Sequence, residues 1–362
     1  MKIIAFSDLH AHPFKPYSHT LETGINNRLQ DAINCIKQIQ QHAAGVNADL
    51  ILFGGDLFHV RRHVPTQAFN ETFRALVNLS LTGIPIVMIH GNHDQEDRNG
   101  RIHSLYPFGS FATVIDEPGW HEVRSRTGEA CAIFGVPYVE EEAQLHELLS
   151  VNKSPGHLST VFLGHFGING ATVGSGIVYR SKAEPSSDKL PEVFDIGLLG
   201  HFHLHQTIAK NWYYIGAPLQ HEWGDKGQKR GFLEIDVYPG GCKKQHITLN
   251  APEFIEIEIG NPETLLPSYK GHYVRIVSDR SWSKDECENT KNEFQCRSLE
   301  IIPKKVVNAE KSVRLDIESG YTYTDILDKY VNSGLVDLND LEAEQLLEFG
   351  CALLEEAEQD AI

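Results

Sequence analysis

Residues 2–7 (KIIAFS) form a short apolar run that stops at Asp8, the pattern of a buried strand handing the chain to a polar loop. Between residues 25 and 43, Ile25, Leu29, Ile33, Ile36 and Ile39 recur at helical spacing with polar residues between them, which predicts an amphipathic helix. The alternation then repeats. A strand over 49–53 ends in Gly54-Gly55-Asp56, a helical stretch covers about 66–80, and a strand over 84–89 ends in His90-Gly91-Asn92-His93-Asp94. Strands alternating with helices predict a layered α/β fold.

Beyond about residue 130 the pattern becomes richer in strands, at 131–136, 160–165, 195–201, 211–216 and 231–237. The recurring design is an apolar strand, a glycine and then a polar residue of a ligand type. In open α/β sheets ligands collect beyond the carboxyl ends of the strands, where the loops are free to vary. Pro252 opens a different texture. Ile255, Ile257 and Ile259 alternate with Glu256 and Glu258, a second strand is expected over 272–278, and a third over 298–302. Ser283 and Glu286 have the spacing of a capping box before a helix that runs to about 295. Two helices are expected near the end, over about 324–332 and 340–358. The expected division is an α/β domain over 1–252, a small α+β second domain over 253–315 and an acidic helical tail over 316–362.

Charge sharpens that division. The chain has 49 Asp+Glu against 32 Lys+Arg, a formal net charge of -17, which excludes a basic coat for nucleic acid. Residues 316–362 carry 13 acidic residues and one basic residue, so -12 of the total lies in the tail and -5 in the body. The six cysteines show no C-x-x-C spacing and read as packed apolar residues, giving neither a zinc ribbon nor a disulfide framework. No run approaches the roughly 18 apolar residues of a membrane span, and the N-terminus has no signal-peptide pattern. A cytoplasmic location without membrane contact is expected.

The polar residues at the strand ends form one ordered set: Asp8-x-His10, Gly55-Asp56, Gly91-Asn92-His93-Asp94, Gly164-His165 and Gly200-His201-Phe202-His203. Any one of these is an ordinary turn. Five in series, each after an apolar strand, supply hard oxygen and borderline imidazole ligands in numbers that suit two divalent ions. His12, His63, His90, His103 and His205 lie near the set and match no ligand position.

This series resembles the signature of the calcineurin-like metallophosphoesterases over roughly residues 1–250. The resemblance implies a β-sandwich flanked by helices, with one metal held by Asp8, His10 and His203, the other by Asn92, His165 and His201, and Asp56 bridging both. It also implies that His93 is not a ligand but contacts the phosphate and protonates or stabilises the leaving oxygen, work to which imidazole is suited. Asp94 is a candidate to orient it. Gly54-Gly55-Asp56-Leu57-Phe58-His59, Gly200-His201-Phe202-His203-Leu204-His205-Gln206 and Tyr214-Ile215-Gly216-Ala217-Pro218 further resemble SbcD-type DNA repair nucleases, although Ala217 stands where those have serine. That narrower resemblance implies that His59 touches the substrate phosphate. It also implies a DNA exonuclease/endonuclease using Mn²⁺, a homodimer, and terminal helices that bind an SbcC-type coiled-coil ATPase. Arg61, Arg62, Arg98 and Arg101 are candidate contacts to DNA phosphates. Two alternatives stay open: a stand-alone phosphatase or cyclic-nucleotide phosphodiesterase, and an inactive scaffold subunit of the ATPase complex.

Overall fold

Alternation of side chains along each strand sorts the chain into layers. In the computed structural model, the first strand turns Ile3 and Ala5 into one apolar cluster and Ile4 and Phe6 into another. The structure describes residues 1–362 apart from 98–99, 157, 175, 182–183, 260–267, 305–322, 334–342, 344, 348, 352 and 354–362.

The chain runs β1 (Lys2–Phe6), α1 (Asn27–Gly45), β2 (Leu50–Phe53), α2 (Thr66–Ser80), β3 (Ile86–Ile89), β4 (Thr113–Ile115), β5 (Gly119–Arg124) and β6 (Ala130–Val136). It continues through α3 (Glu142–Leu149), β7 (Ser159–His165), β8 (Thr172–Val173), β9 (Ile177–Val178), β10 (Ile196–Gly200), β11 (Gln206–Ala209) and β12 (Trp212–Tyr214). The hairpin β13 (Gly231–Tyr238) and β14 (Gly241–Thr248) follows, then β15 (Phe254–Glu258), β16 (Tyr273–Ser278), α4 (Lys284–Phe294), β17 (Ser298–Pro303) and α5 (Tyr323–Val331).

Two six-stranded sheets, ordered β14-β13-β1-β2-β3-β4 and β11-β12-β10-β7-β6-β5, form the layered α/β architecture. Ile3, Leu50, Val87 and Leu233 of the first sheet meet Ile133, Val161, Leu163 and Leu198 of the second in one buried cluster. The outer face of the first sheet is covered by α1 and α2 through Leu29, Ile36, Ile39, Leu76 and Leu79. Asn26 caps α1 by accepting hydrogen bonds from the amides of Arg28 and Leu29. The outer face of the second sheet packs on Leu145 and Leu149 of α3 and on Phe194.

β1–β4 are parallel, and so are β6, β7, β10 and β12, which aligns the carboxyl ends of the motif-bearing strands within each sheet. The edge strands β5 and β14 and the short strands β4 and β11 were not evident in the apolar pattern. β5 buries a single residue, Val123, and β14 is mostly open to solvent, so neither carries an apolar run.

The chain divides into two compact units, Met1–Pro303 and Lys304–Ile362. Within the first, a parallel sheet of β15, β16 and β17 packs α4 on a small core of Ile255, Ile257, Val274 and Ile276. Both halves of the Ser283–Glu286 capping box form. Arg297 ion-pairs with Asp31 of α1 through two hydrogen bonds, and the Arg28 guanidinium lies 4.4 Å from the Phe14 ring centre and within 6 Å of those of Phe254 and Tyr273. These contacts tie the small sheet to the catalytic layers. In the second unit α5 is described, whereas the helix expected over 340–358 lies largely outside the described residues. Among the described residues no helix is long and apolar enough to cross a membrane, and all six cysteines are free.

Candidate metal centre

The loops that leave β1, β2 and β10 are strained where the ligand types stand. Asp8 (φ 54°), His10 (φ 47°), Asp56 (φ 58°) and His201 (φ 98°) all occupy backbone conformations with positive φ that L residues rarely adopt. Such outliers persist only where the surroundings over-determine them. Glycine provides the necessary room. A Cβ on Gly91 would stand 2.1 Å from Asp56 Oδ1, and one on Gly55 would stand 2.5 Å from His165 Nδ1.

Asp8 is fully buried and Asp56 nearly so. Asp56 Oδ2 lies 3.4 Å from His165 Nε2 and 3.6 Å from His10 Nε2, between two groups of donors. On one side His10 Nε2 is 3.1 Å from His203 Nε2, and Asp8 joins these two with donor atoms all within 4.8 Å. On the other, Asn92 Oδ1 is 3.2 Å from both His165 Nε2 and His201 Nδ1. His165 donates its Nδ1–H to the Gly54 carbonyl at 2.7 Å, which presents Nε2 to the cluster. Asp8 Oδ1 accepts from the His201 amide, so the carboxylate also fixes the β10 loop.

The residues present fit two divalent cations. Two carboxylates, one amide oxygen and four imidazoles face one another, His10 presenting Nε2 to both Asp56 and His203. Burial pushes His10 well below the ordinary imidazole range, and burial together with His165 takes His201 to about 3, so both are neutral and able to ligate. Burial opposes charge on His165 as well, but Asp56 beside it prevails and raises it to about 9. A cation bound there must displace that proton.

His93 lies beside the cluster with its amide donating to Asp56 Oδ1 at 2.8 Å. The sequence suggested Asp94 as its orienting partner, and the structure places that carboxylate elsewhere. Asp94 accepts from the amides of Asp56 (2.8 Å), Leu57 (2.9 Å), Gly91 (3.0 Å) and Phe58 (3.2 Å), tying the β2 and β3 loops together. Burial and neighbouring Asp56 raise its carboxyl to about 7 against the pull of these donors. The ring of His93 is held instead by the His59 carbonyl, 2.6 Å from Nδ1, and the two rings stack at 5.7 Å. His10, His59 and His93 form a further set of close nitrogen donors.

One neighbour escaped the sequence pattern. His221 donates from Nε2 to the Asp8 carbonyl at 3.1 Å and packs 5.1 Å from the rings of both His10 and His203. It follows no strand, and its only signal is the run Gln220-His221-Glu222-Trp223 after the Gly216-Ala217-Pro218 turn. Ala217 acts through its backbone: its amide donates to the His203 carbonyl at 2.9 Å, which needs no hydroxyl. A cavity of about 500 Å³ opens over Asp56, Asn92, His93, His201 and His203, walled on another side by Phe14, Tyr17 and Trp223. Arg61, Arg62 and Arg101 are exposed, and Arg98 lies outside the described residues.

Residues 1–205 match the family described as calcineurin-like phosphoesterase. The chain belongs to that family, whose members are divalent-metal phosphoesterases. It is 24% identical over 344 residues to exonuclease subunit 1 of Enterobacteria phage T4, covering 90% of this chain and 93% of that protein. It is 29% identical over 185 residues to the DNA double-strand break repair protein Mre11 of Sulfurisphaera tokodaii, covering 50% of this chain and 45% of that protein. It is also 24% identical over 245 residues to the SbcD component of the SbcCD nuclease of Staphylococcus saprophyticus subsp. saprophyticus, covering 59% of this chain and 62% of that protein.

Proposed function

We propose that this chain is a two-metal DNA phosphodiesterase, the exonuclease/endonuclease subunit of an SbcCD-like end-processing complex. The observation that carries the reading is the placement of the Asp56 carboxylate between His10 and His165, with His203 beside the first, Asn92 and His201 beside the second, and Asp8 within 4.8 Å of both the His10–His203 and the Asp56–His165 donor atoms. In this reading Asp8, His10 and His203 hold one ion, Asn92, His165 and His201 hold the second, and Asp56 serves both. Mn²⁺ is the ion assigned in this reading, supported by the carboxylates of Asp8 and Asp56 and the amide oxygen of Asn92, the donor type it favours. When bound, the ions supply Lewis-acid polarisation of the phosphate and acidify the attacking water.

The protein supplies position and a proton. His93 donates Nδ1–H to the His59 carbonyl; acting as the imidazolium it gives its Nε2 proton to the leaving oxygen and is left as the neutral Nδ1–H tautomer that the same hydrogen bond holds. Asp94 keeps the Asp56 and Gly91 loops in register, and so acts as a positioning residue. In the same reading His59 touches the substrate phosphate, a role supported by its ring stacking on His93.

The same proposal divides the chain into a catalytic domain over 1–252, a cap over 253–315 and a tail over 316–362 that docks on a coiled-coil ATPase. The names of the nuclease relatives support the DNA substrate. The exposed apolar residues Leu346, Phe349 and Leu353 in an acidic segment support the docking role. Homodimerisation belongs to the same reading. The test is hydrolysis of end-labelled single-stranded and duplex DNA with Mn²⁺, with and without the ATPase partner. Strand cleavage is expected, and intact DNA in every condition would refute the proposal.

A further inference from the structure

The cavity over the candidate metal centre is unequal in its chemistry. The histidines and Asp56 line one part of it, and Phe14, Tyr17 and Trp223, each with part of its surface open, line the rest, Phe14 packing 4.7 Å from the His59 ring where the two parts meet and Phe254 lying buried beside Tyr17 and Trp223. We propose that this aromatic wall stacks an unpaired nucleobase of the strand whose phosphate is being cut. The inference rests on the DNA phosphodiesterase reading and specifies its substrate as a single-stranded or frayed end.

Three observations carry it. The wall is held rigid at a cost in backbone strain. Tyr17 has φ 60°, an outlier for a bulky residue, and is fixed by the Trp223 indole N–H donating to its hydroxyl at 3.1 Å. Trp223 is clamped by the Arg275 guanidinium 3.8 Å from its ring centre, and Phe14 by Arg28 at 4.4 Å. A packed core does not need a strained tyrosine, whereas a preformed platform does.

The second observation is charge. Of the residues lining this part of the cavity the charged ones are Arg28, whose guanidinium is engaged by the carbonyls of Pro16 and His221 and by the Phe14 ring, and the exposed Glu222, while Arg275 behind Trp223 is paired with Glu300. The opposite charges of Arg28 and Glu222 offset each other, which favours a neutral base over a second phosphate. The third is size. A cavity of about 500 Å³ is in the range for one small organic ligand, and it is continuous with His93 and Asn92, where the phosphate sits in the proposed reaction. Aromatic faces bind bases without sequence preference, because every base has a π-face.

The test compares strands carrying a normal nucleotide or an abasic residue at the cleaved position, in Mn²⁺. A 2-aminopurine base at the same position reports stacking by quenching in Ca²⁺. The wild type should cut the abasic strand about 5- to 150-fold more slowly, the equivalent of one stacked base, and should quench 2-aminopurine. Phe14→Leu and Tyr17→Leu should lose both the discrimination and the quenching while titrating Mn²⁺ as the wild type does. Equal rates on the two strands without quenching overturn the stacking inference and leave hydrolysis standing. Quenching without cleavage of either strand supports stacking and instead refutes the phosphodiesterase reading.

Discussion

His93 Nδ1 lies 2.6 Å from the carbonyl oxygen of His59, three residues beyond Asp56. One short loop therefore places both a carboxylate at the candidate metal centre and the acceptor that fixes the tautomer of the candidate acid. His93→Ala should lower the turnover rate by about 10²- to 10⁴-fold and leave Mn²⁺ affinity unchanged. Single-turnover cleavage and calorimetric titration separate the two, and parallel loss of metal would remove His93 from the role of acid. His59→Ala keeps the carbonyl and should cost less than His93→Ala.

Asp94→Asn exchanges an acceptor of four amides for a side chain with one oxygen and an NH₂ that faces N–H donors. Leaving buried amides unpaired costs about 1–3 kcal/mol each. The variant should lose several kcal/mol in urea unfolding, on the order of 2–5, and bind Mn²⁺ more weakly as the Asp56 loop loosens. Wild-type stability would show that these hydrogen bonds are dispensable.

Gly91→Ala tests close packing without a backbone conformational penalty. Its Cβ would stand 2.1 Å from Asp56 Oδ1 and 2.7 Å from His165 Cε1. Loss of at least one Mn²⁺ per chain is expected by calorimetry, with loss of hydrolysis, while circular dichroism reports a folded chain.

Much of this arrangement was legible in the sequence, and for a physical reason. An apolar strand followed by glycine and a ligand type is a local pattern, and parallel strands then bring Asp8, Asp56 and Asn92 to one sheet edge and His165 and His201 to another. The destination of the Asp94 carboxylate was not legible, because adjacency to His93 says nothing about which amides a side chain faces. His221 and the wall of Phe14, Tyr17 and Trp223 come from loops without apolar periodicity, and become neighbours only through tertiary packing. The capping box of α4 was legible because both of its hydrogen bonds are local.

Away from the candidate centre, His246 stacks on His205 at 4.8 Å, and burial, then His205, lowers it to about 4. Its folded value lies below the unfolded value of about 6.5. Its contribution is therefore complete above pH 6.5 and is lost as pH falls from about 6.5 to about 4, because the unfolded chain takes up the proton first. His246→Gln should gain on the wild type across that window by on the order of 1 kcal/mol after solvent screening, and run parallel to it above. Urea unfolding at a series of pH values checks this, and a constant offset between the two proteins would contradict it.

The central claim is that Asp56 joins two cations. Anomalous diffraction from crystals soaked in Mn²⁺ tests it most directly. The account predicts two peaks per chain about 3.5–4 Å apart, one beside Asp8, His10 and His203 and the other beside Asn92, His165 and His201, with Asp56 touching both. A single peak, or two peaks that do not share Asp56, would contradict it.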